Sequence, residues 1–287
     1  MRKCIRTDKL MKVLVTGANG YLGQGIVKSL LDNGNAVTAV DFSLDHVDGR
    51  AEKIACDLFS VQNPYDEFGK PDVLLHLAWR DGFKHNSANH INDLPLHYNF
   101  IEKIINGGLN HISILGTMHE IGFFEGAIDE NTACKPMNLY GIAKNALRES
   151  VRLLCESNST VFQWLRGYYI VGNSKFGNSI FSKITNAVTE GKKEFPFTTG
   201  KNKYDFLDYD EFAVQVAAAC TQTEINGIIN ICSGKPVSLA DRVERFINEN
   251  NYDIKLKYGA FPDRAYDSDA VWGNNERIQK ILKLKGM

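Results

Sequence analysis

The chain has 287 residues, 44% of them apolar and 23% charged, with a formal net charge of −1. These values describe a globular protein of one large or two modest domains, and they argue against a nucleic-acid or acidic-membrane partner. Six cysteines (Cys4, Cys56, Cys134, Cys155, Cys220, Cys232) lack any CxxC spacing, which favours reduced thiols in a cytoplasmic protein.

The opening "MRKCIRTDKL" is basic, but no apolar stretch follows it. It reads as a short tail before the first strand, with Met11 as an alternative start, and not as a secretion signal. No apolar run is long enough to span a bilayer. "KVLVTGANGYLGQGIVKSLLDNG" then reads as strand, glycine-rich turn and helix, ending at Gly34. "NAVTAVD" is a second strand closed by Asp41, and "KIACDL" a third. "PDVLLHLAW" is a fourth, apolar enough to be buried on both faces.

A helix follows through "LPLHYNFIEKIING", then a fifth strand, "HISILGT". "NLYGIAKNALRESVRLLCES" has the helical period, with Leu139, Ile142, Ala143, Ala146, Leu147, Val151 and Leu154 apolar. "STVFQWLRGYYIVG" is expected as one sixth strand. Strands alternating with helices predict an α/β fold, a Rossmann-type doubly wound parallel sheet. After Gly172 the alternation breaks. "NSIFSKITNAVTEG" is a helix, "KYDFLDYDEFAVQVAAAC" a strand or loop running into a helix, "GIINICSG" a seventh strand, and "SLADRVERFINEN" a helix capped by Ser238. With no linker visible, the C-terminal substrate-binding region is expected to be smaller and interleaved. The expected division is a dinucleotide-binding domain over 11–175, with 200–235 completing its sheet, and a substrate-binding region over 176–199 and 236–287.

Gly17, Gly20 and Gly23 sit between the first strand and its helix. Glycines there allow a tight turn and close backbone approach, and the helix N-terminus then faces a pyrophosphate. Asp41 can accept hydrogen bonds from an adenosine ribose and would repel a 2′-phosphate, which points to NAD(H) over NADP(H). Asp57-Leu58 could place a carboxylate near the adenine, or be an ordinary turn.

Tyr140 and Lys144 lie four apart, on one helical face. By spacing alone roughly one such pair is expected by chance. A nearby ammonium would favour the phenolate, and Thr117, just past the fifth strand, supplies a hydroxyl where doubly wound sheets bind their ligands. His85, His90 and His97 share no tight ligand spacing, so no metal site is expected.

Gly17-x-x-Gly20-x-x-Gly23, Asp41, "HLAW", Asn99, Thr117, Tyr140-x-x-x-Lys144 and "LRGYYIVG" occur in the order seen in extended short-chain dehydrogenases/reductases. From Met11 onward the chain resembles their nucleotide-sugar epimerase/dehydratase/reductase branch. "YDFLDYDE" and "INGIINICSGKPVSLADRV" resemble two further segments of that branch.

The resemblance implies NAD bound by Gly17, Asn19, Gly20, Tyr21, Leu22, Gly23, Asp41, Asp57, Leu58, Leu77, Ala78 and Lys144. It makes Tyr140 the acid–base at a sugar oxygen. Lys144 would bond the nicotinamide ribose and lower the Tyr140 pKa, Thr117 would hold the reacting oxygen, and Asn99 would support the active-site backbone. Arg80, Thr117, His119, Tyr140, Asn178 and Arg264 are the expected contacts to a nucleoside-diphosphate sugar.

Met118 and His119 stand where dehydratases of the branch carry an Asp-Glu pair, so 4,6-dehydration is not expected. Tyr204 replaces an Arg of the branch that grips the diphosphate. His119 is either a second acid–base or a packed side chain. The expected activity is reduction of a 4-keto-6-deoxy sugar such as dTDP-4-dehydro-6-deoxyglucose. A C4 epimerase and a non-catalytic NAD-binding regulator are the alternatives. A homodimer through the Tyr140 helix and the helix before it is also implied.

Overall fold

A computed structural model describes residues 10–172, 179–262 and 268–287. The chain opens with β1 (Lys12–Thr16), α1 (Tyr21–Asp32), β2 (Ala36–Asp41), β3 (Glu52–Ala55), a single turn α2 (Pro64–Glu67) and β4 (Val73–His76). A second single turn, α3 (Asn89–Asn92), leads into α4 (Leu94–Asn106), β5 (His111–Thr117), β6 (Gly126–Ile128), α5 (Leu139–Asn158), β7 (Val161–Gly167) and β8 (Tyr169–Val171). Then come α6 (Ile180–Thr189), β9 (Glu194–Pro196), β10 (Lys203–Asp208), α7 (Tyr209–Cys220), β11 (Gly227–Ile231) and β12 (Pro236–Ser238). The chain closes with α8 (Leu239–Glu249), β13 (Lys255–Lys257), β14 (Ala270–Gly273) and α9 (Glu276–Leu284).

Seven strands form one parallel sheet in the order β11-β7-β5-β4-β1-β2-β3. The order reverses beside β1, between β1 and β4, which opens the crevice where doubly wound sheets bind ligands. All four residues of β4 are buried, as its apolar run implies. One sheet face packs Ile26, Val27 and Leu30 of α1 with Phe212, Val216 and Ala219 of α7 and Ile278 of α9. The other packs Ile101 and Ile104 of α4 with Leu147 and Val151 of α5. Each helix presents its apolar stripe to the sheet, the ordinary way such layers exclude water.

The second region departs from the sequence reading. β10 does not join the large sheet but pairs with β8, β12 and β14. The expected single sixth strand therefore breaks after Gly167: β7 stays in the large sheet and β8 crosses to β10. Leu207 packs in the core under α1 and α7, while its neighbour Phe206 packs with Phe181 and Phe246 of α6 and α8. One strand with alternating faces thus joins two cores. β11 does enter the large sheet, beside β7. Short strands such as β6, β9, β12, β13 and β14 have three or four residues each, too few to show a period in sequence. Ser238 caps α8, its hydroxyl accepting from the Asp241 N–H at 3.0 Å.

Candidate active site

Gly17 has φ of +71°, and a Cβ there would lie 2.7 Å from the Ala78 nitrogen. A Cβ on Gly23 would lie 2.4 Å from the Gly17 oxygen. The turn therefore closes only with hydrogen at both positions, and it brings the chain after β4 against the N-terminus of α1. Gly20 is the helix N-cap, and no acidic side chain occupies the first turn, which leaves its N–H groups for an anion.

Asp41 at the end of β2 is tied into this turn. Its carboxylate accepts the backbone N–H of Asn19 at 3.0 Å and of Phe42 at 2.8 Å. The Asn19 side chain in turn accepts the His46 N–H at 2.9 Å. A half-buried carboxylate on a Gly-rich turn, with lone pairs to spare, fits an adenosine ribose.

The Tyr21 side chain is engaged by α7. Its ring packs on Tyr209 at 4.6 Å, and the Tyr209 hydroxyl accepts the Gly25 N–H at 2.9 Å. The side chains of Leu22 and Leu77 are half-buried against one core, and that of Leu58 is buried in the other. Asp57 accepts from the Phe59 N–H at 3.1 Å and is otherwise open.

Thr117 ends β5 and caps a one-turn 3-10 helix, Met118–Glu120. Its hydroxyl accepts the His119 N–H at 3.3 Å and lies near enough to the Tyr140 phenol to favour the phenolate. The close approach has a cause: Gly141 follows Tyr140, and a Cβ on it would lie 2.3 Å from the His119 oxygen. The Asn138 side chain caps α5 by accepting the Gly141 N–H at 2.8 Å. Burial pushes the Tyr140 hydroxyl up to about 12; the Thr117 hydroxyl opposes this and Glu120 adds to it.

The expected effect of Lys144 on Tyr140 is not seen. The Lys144 ammonium donates to the Leu115 carbonyl at 2.8 Å and stands over the Trp79 ring, 4.0 Å from its centre. Burial brings Lys144 down to about 7, partly offset by Glu120. Its charge is directed at a carbonyl and a ring face, not at the phenol.

The structure places the side chains expected around the site as follows. Arg80 is exposed, and its Nε and Nη2 are paired with the two oxygens of Asp93. Asn99 points to solvent. The inward position on α4 belongs to His97, which shares the face of Phe100, Ile101 and Ile104. His85 and His119 press on each other and on the phenol. Their rings lie 4.3 Å apart, with Tyr140 at 5.6 Å from His85 and 5.9 Å from His119. Burial, with His85 nearby, lowers His119 to about 4, so it stands neutral. Tyr204 packs in an aromatic cluster with Tyr169 at 4.7 Å and Phe206 at 6.1 Å. Asn178 and Arg264 lie outside the described residues.

Residues to which the sequence assigned no site role complete the site. Trp79 donates its indole N–H to His90 at 3.0 Å, and the other nitrogen of His90 meets the Lys84 carbonyl at 3.0 Å. His76 bonds His97 at 2.9 Å and Thr16 at 2.8 Å. Beneath Thr117, the buried Glu120 carboxylate accepts the Thr117 N–H at 2.7 Å and the Trp164 indole N–H at 2.9 Å. The period of α4 contained the signal for His97. Nothing in the sequence pairs Trp79 with His90.

These features define an NAD-binding oxidoreductase-type site at the switch point of a doubly wound sheet. The chain belongs to the NAD-dependent epimerase/dehydratase family, whose model matches residues 13–232, within the extended short-chain dehydrogenases/reductases. NAD is its cofactor, and the turn at Gly17 with Asp41 fits that group.

Among its relatives is dTDP-6-deoxy-L-talose 4-dehydrogenase (NAD(+)) of Aggregatibacter actinomycetemcomitans, 43% identical and aligned over 92% of this chain and 99% of the relative. GDP-6-deoxy-D-talose 4-dehydrogenase of the same organism is 21% identical, covering 95% of this chain and 91% of that one. The UDP-glucose 4-epimerase of Thermus thermophilus, solved with NAD, shares the fold at a TM-score of 0.78 and 18% identity, covering 96% of this chain and 93% of its own.

Proposed function

We propose that this enzyme interconverts the 4-hydroxyl and 4-keto forms of a nucleoside-diphosphate 6-deoxyhexose, with dTDP-6-deoxy-L-talose and its 4-keto partner as the leading pair. The observation that carries the reading is the near-full-length relationship to dTDP-6-deoxy-L-talose 4-dehydrogenase, on a chain that brings Tyr140, Thr117 and Lys144 together. NAD, when bound, supplies the two-electron exchange. Tyr140 passes the proton to or from the sugar O4, and the Thr117 hydroxyl orients that oxygen. Lys144, beside the Leu115 carbonyl, holds the nicotinamide ribose. His119 borders the sugar as a neutral donor and acceptor. Dehydration is disfavoured by Met118 and His119, which offer no carboxylate after Thr117. We place the enzyme in the cytoplasm, as a homodimer built on α4 and α5; exposed Ile91 and Leu96 before and on α4, and Leu153 on α5, are consistent with that face.

The test is a panel of dTDP-, UDP-, GDP- and CDP-linked hexoses and 6-deoxyhexoses, assayed with NAD+ and with NADH on their 4-keto forms. NADH should appear in stoichiometric amounts with a dTDP-6-deoxyhexose and not with dTDP-glucose. Inversion at C4 with no net change in NADH would replace this reading by an epimerase.

A further inference from the structure

Trp79 follows Ala78 in the loop after β4, directly beside the turn that closes on Gly17. It is held on two sides. His97 stacks on the indole with ring centres 4.5 Å apart and planes 16° apart. His90 accepts the indole N–H at 3.0 Å. An indole nitrogen can only donate, so the bonded Nδ1 of His90 carries no proton, and its Nε2 donates to the Lys84 carbonyl. Both nitrogens of His90 are therefore committed to fixing the loop and the indole, which leaves no free nitrogen for proton transfer. His97 is anchored in turn by His76 and, through it, by Thr16 of β1. The Lys144 ammonium stands over the ring fixed in this way.

We propose that Trp79 is a positioning residue: its indole face, bracketed by His90 and His97, holds the Lys144 ammonium in place for the nicotinamide half of the cofactor. The proposal rests on the proposed role of Lys144, but its geometry does not depend on which sugar is used.

A buried ammonium with one carbonyl partner has lost most of its hydration, and an aromatic face returns part of it electrostatically. The groups that act on Lys144 are His76 and Trp79 from β4 and its loop, His97 from α4, Glu120 from the turn after β5, and the Leu115 carbonyl of β5. Of these Glu120 alone is acidic, and it is engaged by Thr117, Trp164, Arg148 and Arg166. The indole is therefore the close side-chain partner that, beside the Leu115 carbonyl, favours the charged lysine without neutralising it.

The test replaces the tryptophans of the full chain with mono-, di- and tetrafluorotryptophan, which weaken the ring face while nearly preserving its shape. The readout is the titration of the Lys144 side chain by NMR of 13C-lysine protein, with Lys144→Arg to assign the signal. The Lys144 midpoint should step downward with each fluorination, by about one pH unit in total. Trp79→Leu should show a drop of similar size and Trp79→Phe a smaller one. In the Trp79→Phe background, fluorination of the remaining tryptophans should move nothing.

A Lys144 midpoint that ignores fluorination, or one that still steps in the Trp79→Phe background, would overturn the proposal. Because the readout needs no substrate, failure of the sugar panel would leave this test intact, and the reverse also holds.

Discussion

Burial raises the Tyr140 hydroxyl to about 12, and the Lys144 ammonium is turned to the Leu115 carbonyl. The phenol is thus set up as a proton donor, the form needed for reducing a 4-ketone. Oxidation of an alcohol in the other direction requires the bound cofactor and substrate to favour the phenolate. Tyr140→Phe removes the transferable proton and leaves the ring packing with His85 and His90 in place. Turnover should fall by about 10²- to 10⁴-fold, with NAD affinity, read by calorimetry, nearly unchanged. Wild-type turnover would exclude Tyr140 from the chemistry. At this scale the sequence was informative for residues that carry a motif: Tyr140, Lys144, Thr117 and the glycines. It misplaced the helical support at Asn99 and was silent on Trp79, because neighbours in space at those positions are distant in sequence.

The turn after β5 and the first turn of α5 form one unit. Glu120 closes the capping box on Thr117 and binds Trp164, while Arg148 and the fully buried Arg166 lie 3.6 Å from its carboxylate. The Arg166 side chain is fully enclosed, and its Nη1 donates to the Asp129 carbonyl. Glu120→Gln preserves the shape and an acceptor for Thr117 but leaves the buried Arg166 without its carboxylate, while Arg148 keeps Glu149 at 2.6 Å. Removing one partner of a buried ionic network typically costs about 3–5 kcal/mol, and urea denaturation should show a loss of that order. A loss below about 0.5 kcal/mol, the range of ordinary surface substitutions, would mean that Arg166 is compensated by other groups. The existence of this turn was legible from Thr117. Its electrostatics were not, since Glu120, Arg148 and Arg166 come from three separate elements.

At the scale of the whole molecule, four histidines, three of them buried and His119 half-buried, are held as neutral rings. Burial lowers His76 well below 6.5, His97 to about 3, and His111 and His119 to about 4. In the unfolded chain each would titrate near its ordinary value of 6.5. Between that value and the folded ones the unfolded state binds more protons than the native state. Stability is therefore fully present above about pH 6.5 and is lost as the pH falls toward about 4. The urea midpoint should be clearly lower at about pH 5 than at about pH 7.5; equal midpoints would mean that these rings take up protons in the folded protein.

By itself the sequence determined the parallel sheet and the glycine turn with Asp41, because both are written in local periodicity or close spacing, and it pointed to the Tyr140–Lys144–Thr117 set only through the family resemblance. Tertiary structure alone decided that β10 leaves the large sheet, that Arg80 pairs with Asp93, and that Lys144 faces Trp79. Those outcomes depend on which buried charges and ring faces meet across distant segments, and no local pattern encodes that competition.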